Sequence, residues 1–223
     1  MANESTFLAG LNENQAAAVR QIEGPLLVIA GAGSGKTRVV TRRIAYILAL
    51  QKAQPEEILA VTFTNKAAGE MRERVSELVG KTNSDKVVIS TFHSFCLKIL
   101  REHITLLGYR KNFTIASESD TRTLLSRALD DIENPEEAFS PGIFREQISL
   151  MKSSEVSDNF AMAVPAEESK EEAANREKYE SWLPEIFDRY QSALRAANTV
   201  DFDDLLGLVL KLWKDHPEIR ELF

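Results

Sequence analysis

The sequence predicts an α/β domain carrying an all-helical insertion, and three observations predict it. Residues 26–44, "LLVIAGAGSGKTRVVTRRI", read as an apolar strand, a tight glycine-rich turn and a helix. The first 112 residues alternate helical and strand-like segments, and strands separated by helices imply a parallel sheet with right-handed crossovers. From residue 119 to 198 no segment reads convincingly as a strand.

Taken in order, "NENQAAAVRQI" is helical, and "PLLVIA" is a buried strand entered through the Gly24-Pro25 turn. Residues 36–50 form a helix with Val39, Val40, Ile44, Ile47 and Leu48 on one face. "EILAVTF" is a second strand. "NKAAGEMRERVSELVG" is a helix with Ala67, Met71, Val75 and Leu78 at helical spacing and Gly80 as its stop. "KVVIST" is a third strand, and "FHSFCLKILREHITLLG" a helix ending at Gly108. After "YRKNFTIAS" the pattern changes. Ser117 to Asp120 offers an N-cap for "TRTLLSRAL". "NPEEAFSPG" breaks the chain before a short helix at about 142–152. "SSEVSDNFAMAVPAEESK" is polar and loop-like. "EEAANREKYESWLPEIFDRYQSALRAAN" is a long helix in which Pro184 marks a kink or a boundary. "TVDFDDLLGLVLKLWKD" is a further amphipathic helix, and no internal repeat is visible.

The 223 residues fit one large domain or two small ones. A content of 43% hydrophobic and 27% charged residues supports an ordinary globular core. The apolar runs are too short for a transmembrane helix, so no membrane role is expected. "MANESTFLAG" lacks the basic and apolar regions of a signal peptide. The single cysteine, Cys96, excludes an internal disulfide and a cysteine zinc cluster and reads as a small buried hydrophobe. A soluble, cytoplasmic setting is therefore expected. The net charge of −7 is unevenly placed: residues 1–112 carry 15 Lys and Arg against 10 Asp and Glu, residues 113–223 carry 12 against 24. The first half suits a phosphate backbone; the second reads as solvated acidic helices.

The chemistry centres on Ala30-Gly31-Ala32-Gly33-Ser34-Gly35-Lys36-Thr37, the Walker A pattern with Ala in place of the first Gly. Its glycines let successive N–H groups turn into one concavity, and the helix opening at Gly35 adds its partial positive charge. Lys36 can reach the β- and γ-phosphates of a nucleoside triphosphate, and the Thr37 hydroxyl can ligate Mg²⁺. The loop alone does not choose among kinases, GTPases and motor ATPases. Read alone, Gln15 is a surface helix residue, Phe63 a core aromatic and His93 structural. Asp201 and Asp204 serve as helix caps beside Asp203. Trp182, Trp213, Tyr179 and Tyr190 read as packing residues.

"LNENQAAAV", "AGAGSGKTRV", "TFTNKAAGEMRERV", "TFHSFC" and "DFDDLL" occur in an order and spacing that resemble the N-terminal half of superfamily 1A DNA helicases of the UvrD/Rep/PcrA type, over about residues 8–223. The resemblance implies a RecA-like P-loop domain 1A over 1–116, a helical insertion 1B over 117–199, and a return to domain 1A at 200–223 that ends before the Walker B strand. It implies ATP and Mg²⁺ as cofactors, with Lys36 and Thr37 catalytic. Gln15 would read the adenine edge, residues 30–37 would hold the triphosphate, and Arg38 would lie near the base or ribose. "TFTNKAA" resembles a single-strand DNA motif, which makes Thr62, Phe63, Thr64 and Asn65 DNA contacts. "TFHSFC" resembles a second such motif, with Thr91, His93 and Ser94 polar and Phe92 and Phe95 in the core.

The activity implied is 3′-to-5′ ATP-dependent translocation on single-stranded DNA and unwinding, with single-stranded DNA, single-strand/duplex junctions and a second RecA-like domain as partners. The family's D-E-x-Q-D segment, its arginine fingers and that second domain are not in these 223 residues. The chain therefore reads as a fragment expected to bind ATP and DNA weakly and to hydrolyse little. Two alternatives stand beside this reading: the helicase part of a RecB/AddA-type helicase-nuclease, and a nucleotide-binding interaction module.

Overall fold

In the computed structural model of the chain, which describes residues 4–130, 141–155 and 170–223, capping residues and glycines set most element ends. A short α1 (Glu4–Leu8) precedes α2 (Glu13–Arg20). Asn12 and Gln15 form a reciprocal capping box at the start of α2, each side chain bonding the other's backbone N–H. Helix α3 (Lys36–Ala49) starts at Gly35, whose φ of 84° is open to glycine at little cost. The strand β1 (Leu59–Thr62) leads through Thr64, which caps Ala67 N–H, into α4 (Asn65–Val79). Gly80 (φ 79°) stops α4 and opens the short α5 (Lys81–Ser84). The strand β2 (Val88–Thr91) runs directly into α6 (Phe92–His103), whose end tightens into a 3-10 turn before Gly108.

The chain forms two compact units, Met1–Phe95 and Cys96–Phe223. In the first, β1 and β2 pair in parallel, with Leu59 opposite Val88 and Thr62 opposite Thr91, as the helix–strand alternation requires. One face of this pair is covered: Ala60 and Ile89 pack with Val87 against Ile44, Ala68, Met71 and Val75. A second cluster joins Phe7, Val19, Val39, Ala45 and Tyr46 from α1, α2 and α3. Arg42 donates to the Thr6 carbonyl and Arg43 to the Ala18 carbonyl, which fixes α1 and α2 on α3.

In the second unit, the two-residue strands β3 (Thr114–Ile115) and β4 (Thr199–Val200) pair in parallel. Sequence pattern did not reveal this pair, because two residues carry no periodicity. Between them lie α7 (Glu118–Asp130), α8 (Pro141–Glu155) and α9 (Lys170–Ala196), and no strand is found there among the described residues. Leu125, Phe144, Ile148, Leu183, Ile186, Tyr190 and Leu194 form their core. Burial of each large side chain there contributes about 1.5–3 kcal/mol. After β4 come α10 (Asp204–Asp215) and α11 (Pro217–Arg220).

Four expectations need correction. Residues 25–30 are not a buried strand: Leu26, Leu27, Val28 and Ile29 are 40%, 82%, 43% and 89% exposed, and no described strand pairs with them. A doubly buried strand needs a hydrogen-bonded neighbour and cover on both faces, and the described residues supply neither. Val40 is 40% exposed, because α3 turns Val39, Thr41, Ile44, Ala45 and Tyr46 inward instead. Phe92 is 49% exposed rather than core. Of the two readings of Pro184, kink or boundary, the boundary falls, since α9 runs through it. The "NPEEAFSPG" break and the "SSEVSDNFAMAVPAEESK" loop lie largely outside the described residues.

Candidate functional site

The first unit gathers the predicted residues into two places. At the glycine loop, Gly33 and Gly35 both hold positive φ (73° and 84°), a region in which glycine is at ease. The Ser34 hydroxyl donates to the Gly31 carbonyl at 2.7 Å. Lys36 Nζ donates to the carbonyls of Ala30 (2.8 Å) and Gly31 (2.6 Å), so the amine is folded back on its own loop. No side chain caps the start of α3 at Gly35, which leaves the first N–H groups of the helix for an external anion. Ala32, Lys36, Thr37 and Arg38 are all exposed.

Gln15 lies at this loop although it is 19 positions away from Ser34. Its Nε2 donates to the Ser34 carbonyl at 3.0 Å, and its Oε1 accepts from Asn12 N–H at 3.1 Å. Arg38 reaches the connection between α1 and α2: a Cβ built on Gly10 would meet its Nη2 at 2.9 Å. The structure thus brings Gln15, residues 30–37 and Arg38 into one neighbourhood. The donors fit a triphosphate: one lysine amine, one threonine hydroxyl and uncapped helix amides. A Cβ at Gly31 or Gly33 would meet nothing within 4 Å, so the loop's outer side is open.

The second place is the pair of strand tips. Parallel pairing sets Thr62 beside Thr91. Thr91 Oγ1 donates to Ser94 Oγ at 2.8 Å, and Ser94 Oγ donates to Asn65 Oδ1 at 3.3 Å. Thr62 Oγ1 donates to the Thr64 carbonyl at 3.0 Å. Phe63 stands at the tip, 96% exposed, and is not the core aromatic that its residue type alone implied. His93 is half-buried on the first turn of α6. The carboxyl ends of parallel strands are where α/β sheets place ligands. A large exposed aromatic there can stack on a base, with hydroxyl and amide groups beside it for phosphates.

In the second unit, Asp201 and Asp204 do cap: Asp201 Oδ1 accepts from Asp204 N–H (2.9 Å) and Asp204 Oδ2 from Asp201 N–H (3.0 Å). Sequence reasoning missed their buried partner. Lys152 Nζ lies 2.5 Å from Asp201 Oδ2 and 2.7 Å from Asp204 Oδ1. Tyr190 adds a hydrogen bond from its hydroxyl to Asp201, and Gln191 donates to Asp204. Burial, with Asp201 beside it, pushes the Tyr190 phenol up, which keeps it a donor. Burial also raises the Asp204 carboxyl, against the opposing pull of Lys152. Two acids three residues apart were the one available signal that a buried cation exists. Nothing in the sequence around Lys152 singles it out. Among the described residues no group of three or more His, Cys, Asp or Glu could hold a metal ion, and no helix is long and apolar enough to cross a membrane.

The model of the UvrD/REP helicase N-terminal domain family matches residues 11–223. The chain is 42% identical over 218 residues to "ATP-dependent DNA helicase UvrD1" of Mycobacterium tuberculosis, covering 97% of this chain and 27% of that protein. It is 39% identical over 214 residues to "ATP-dependent DNA helicase PcrA" of Leuconostoc citreum, covering 96% and 27%. With "ATP-dependent DNA helicase PcrA" of Staphylococcus aureus the identity is 37% over 219 residues, covering 98% and 28%. The chain thus spans little more than a quarter of the length of these relatives. The match runs over almost all of it, glycine loop and strand tips included, and the chain belongs to the UvrD/REP helicase N-terminal domain family.

Proposed function

We propose that this chain is the ATP- and single-stranded-DNA-binding portion of an ATP-dependent DNA helicase. The whole protein would work in the cytoplasm and move 3′-to-5′ toward single-strand/duplex junctions. The observation that carries the reading is the uncapped start of α3, with the Lys36 amine resting on two loop carbonyls beside it. In this reading a triphosphate takes the helix amides, and Lys36 turns from Ala30 and Gly31 onto the phosphates. Mg²⁺ would supply charge neutralisation at the β- and γ-phosphates, and Thr37 would give it one oxygen. The base would lie beside Gln15, whose amide keeps one N–H and one lone pair beyond its bonds to Ser34 and Asn12, and Arg38 lies close by.

Thr62, Thr64, Asn65, Thr91, His93 and Ser94 would contact the DNA backbone while Phe63 stacks on a base. The domain division proposed is 1–116 and 200–223 as domain 1A and 117–199 as its insertion. Hydrolysis needs an acidic pair that orients the attacking water, and a second RecA-like domain would close on the nucleotide. The 223-residue chain by itself is therefore expected to turn over little ATP.

The test measures binding of ATP with Mg²⁺, and of a labelled single-stranded oligonucleotide, to the 223-residue chain. Lys36→Ala should weaken ATP by about tenfold or more and leave DNA binding in place. Phe63→Ala should weaken DNA by about 1–3 kcal/mol and leave ATP binding in place. Binding of neither ligand by the wild-type chain would overturn the reading. DNA-stimulated turnover abolished by Lys36→Ala would overturn the expectation of low activity.

A further inference from the structure

The Gln15 side chain is held at both ends before any base arrives. Its Oε1 accepts from Asn12 N–H, inside a capping box that also fixes its own N–H on Asn12 Oδ1. Its Nε2 donates to the Ser34 carbonyl. Helix α2 is itself anchored, through fully buried Val19 and the bond from Arg43 to the Ala18 carbonyl. The contact with the loop is close: a Cβ built on Gly35 would lie 3.1 Å from Gln15 Nε2.

We propose that Gln15 is a positioning residue for the phosphate loop: by holding the Ser34 carbonyl it aims the Gly35 N–H, whatever base is present. The inference rests on the nucleotide-binding reading above and deepens it. A trans peptide is planar, so its C=O and N–H point in opposite directions. A carbonyl drawn toward Gln15 sends the next N–H away from Gln15. The Ala30 and Gly31 carbonyls are bonded differently, to Lys36 and to the Ser34 hydroxyl within the loop itself. An incoming phosphate therefore has to displace the Lys36 amine from two carbonyls but finds the 34–35 peptide already turned. Pre-setting one donor lowers the ordering cost of binding.

The test uses a ligand with no base: inorganic tripolyphosphate with Mg²⁺, titrated into the full 223-residue chain beside ATP. Gln15→Ala removes the tether and the cap without adding charge. Gln15→Glu keeps an acceptor for Asn12 N–H but cannot donate to Ser34, and it adds charge. The donor to the Ser34 carbonyl is the one feature that both variants lack, so a shared loss, with the Gln15→Glu loss persisting at high salt where added charge is screened, reads the tether. The expected result is a drop of about fivefold or more in affinity for tripolyphosphate and for ATP in both variants. The thermal midpoint should fall only in Gln15→Ala.

Wild-type affinity for tripolyphosphate in both variants would overturn the proposal, even if ATP binding fell, since Gln15 would then act on the base alone. Tighter tripolyphosphate binding, or a loss confined to one variant, would overturn it too. The nucleotide-binding reading fails separately, and takes this inference with it, if the wild-type chain binds neither ligand or if Lys36→Ala changes neither affinity.

Discussion

Lys152 is 5% exposed and faces two carboxylates, Asp201 and Asp204, on the turn that opens α10. A buried charge whose partner is deleted costs far more than an exposed pair gains. Lys152→Ala leaves both acids buried without their cation. It should lower unfolding stability by about 3–5 kcal/mol, read as a shifted urea midpoint. Asp204 adds a pH signature. Its carboxyl is raised by burial, so between the ordinary aspartate value of about 3.9 and its folded value the native state holds more protons than the unfolded chain. That contribution to stability is present below the ordinary value and is lost as pH rises through the folded one. Asp204→Asn removes it. The difference in urea midpoint between wild type and Asp204→Asn should therefore change across that window and level off above it. None of this was legible in "LMKSSE", because burial of a lysine is decided by residues almost fifty positions away. The Gln15–Ser34 bond escaped notice for the same reason, whereas the loop glycines were visible because positive φ restricts the residue type itself.

Among the elements, α7 shows why helices were read more securely than strands. Ser117 and Asp120 bond each other's backbone N–H, a reciprocal cap visible in four adjacent letters. Ser117→Ala should cost about 1 kcal/mol, measured by thermal or urea unfolding. Helix α4 was placed by Met71 and Val75 and stopped at Gly80, again from local pattern. Strand status is different in kind. "EILAVTF" and "KVVIST" became β1 and β2 because each is the other's partner. "PLLVIA" has the composition of a central strand, yet among the described residues it has no partner, and composition cannot supply hydrogen bonds. The aromatic positions follow the same logic. Phe63 and Phe92 are as apolar as Phe144, but Phe144 sits in a closed three-helix cluster while the other two sit at strand tips.

For the whole molecule, the exposed run Leu26–Ile29 is a liability: four apolar side chains in a row outside any described strand form a patch that another chain can cover. The 223-residue chain should self-associate with rising concentration in sedimentation. Leu27→Lys with Ile29→Lys, which charges its two most exposed positions, should reduce that association. A second whole-chain property lies in the parallel contact of Thr114–Ile115 with Thr199–Val200. Polypeptide leaves and comes back at adjoining points, stitched by the threonine hydroxyls at 2.8 Å. Closing a long excursion costs only slightly more than closing a short one. A graft between those stitches would therefore meet little entropic resistance, provided that it again supplied what Lys152 and Tyr190 give to Asp201 across the seam.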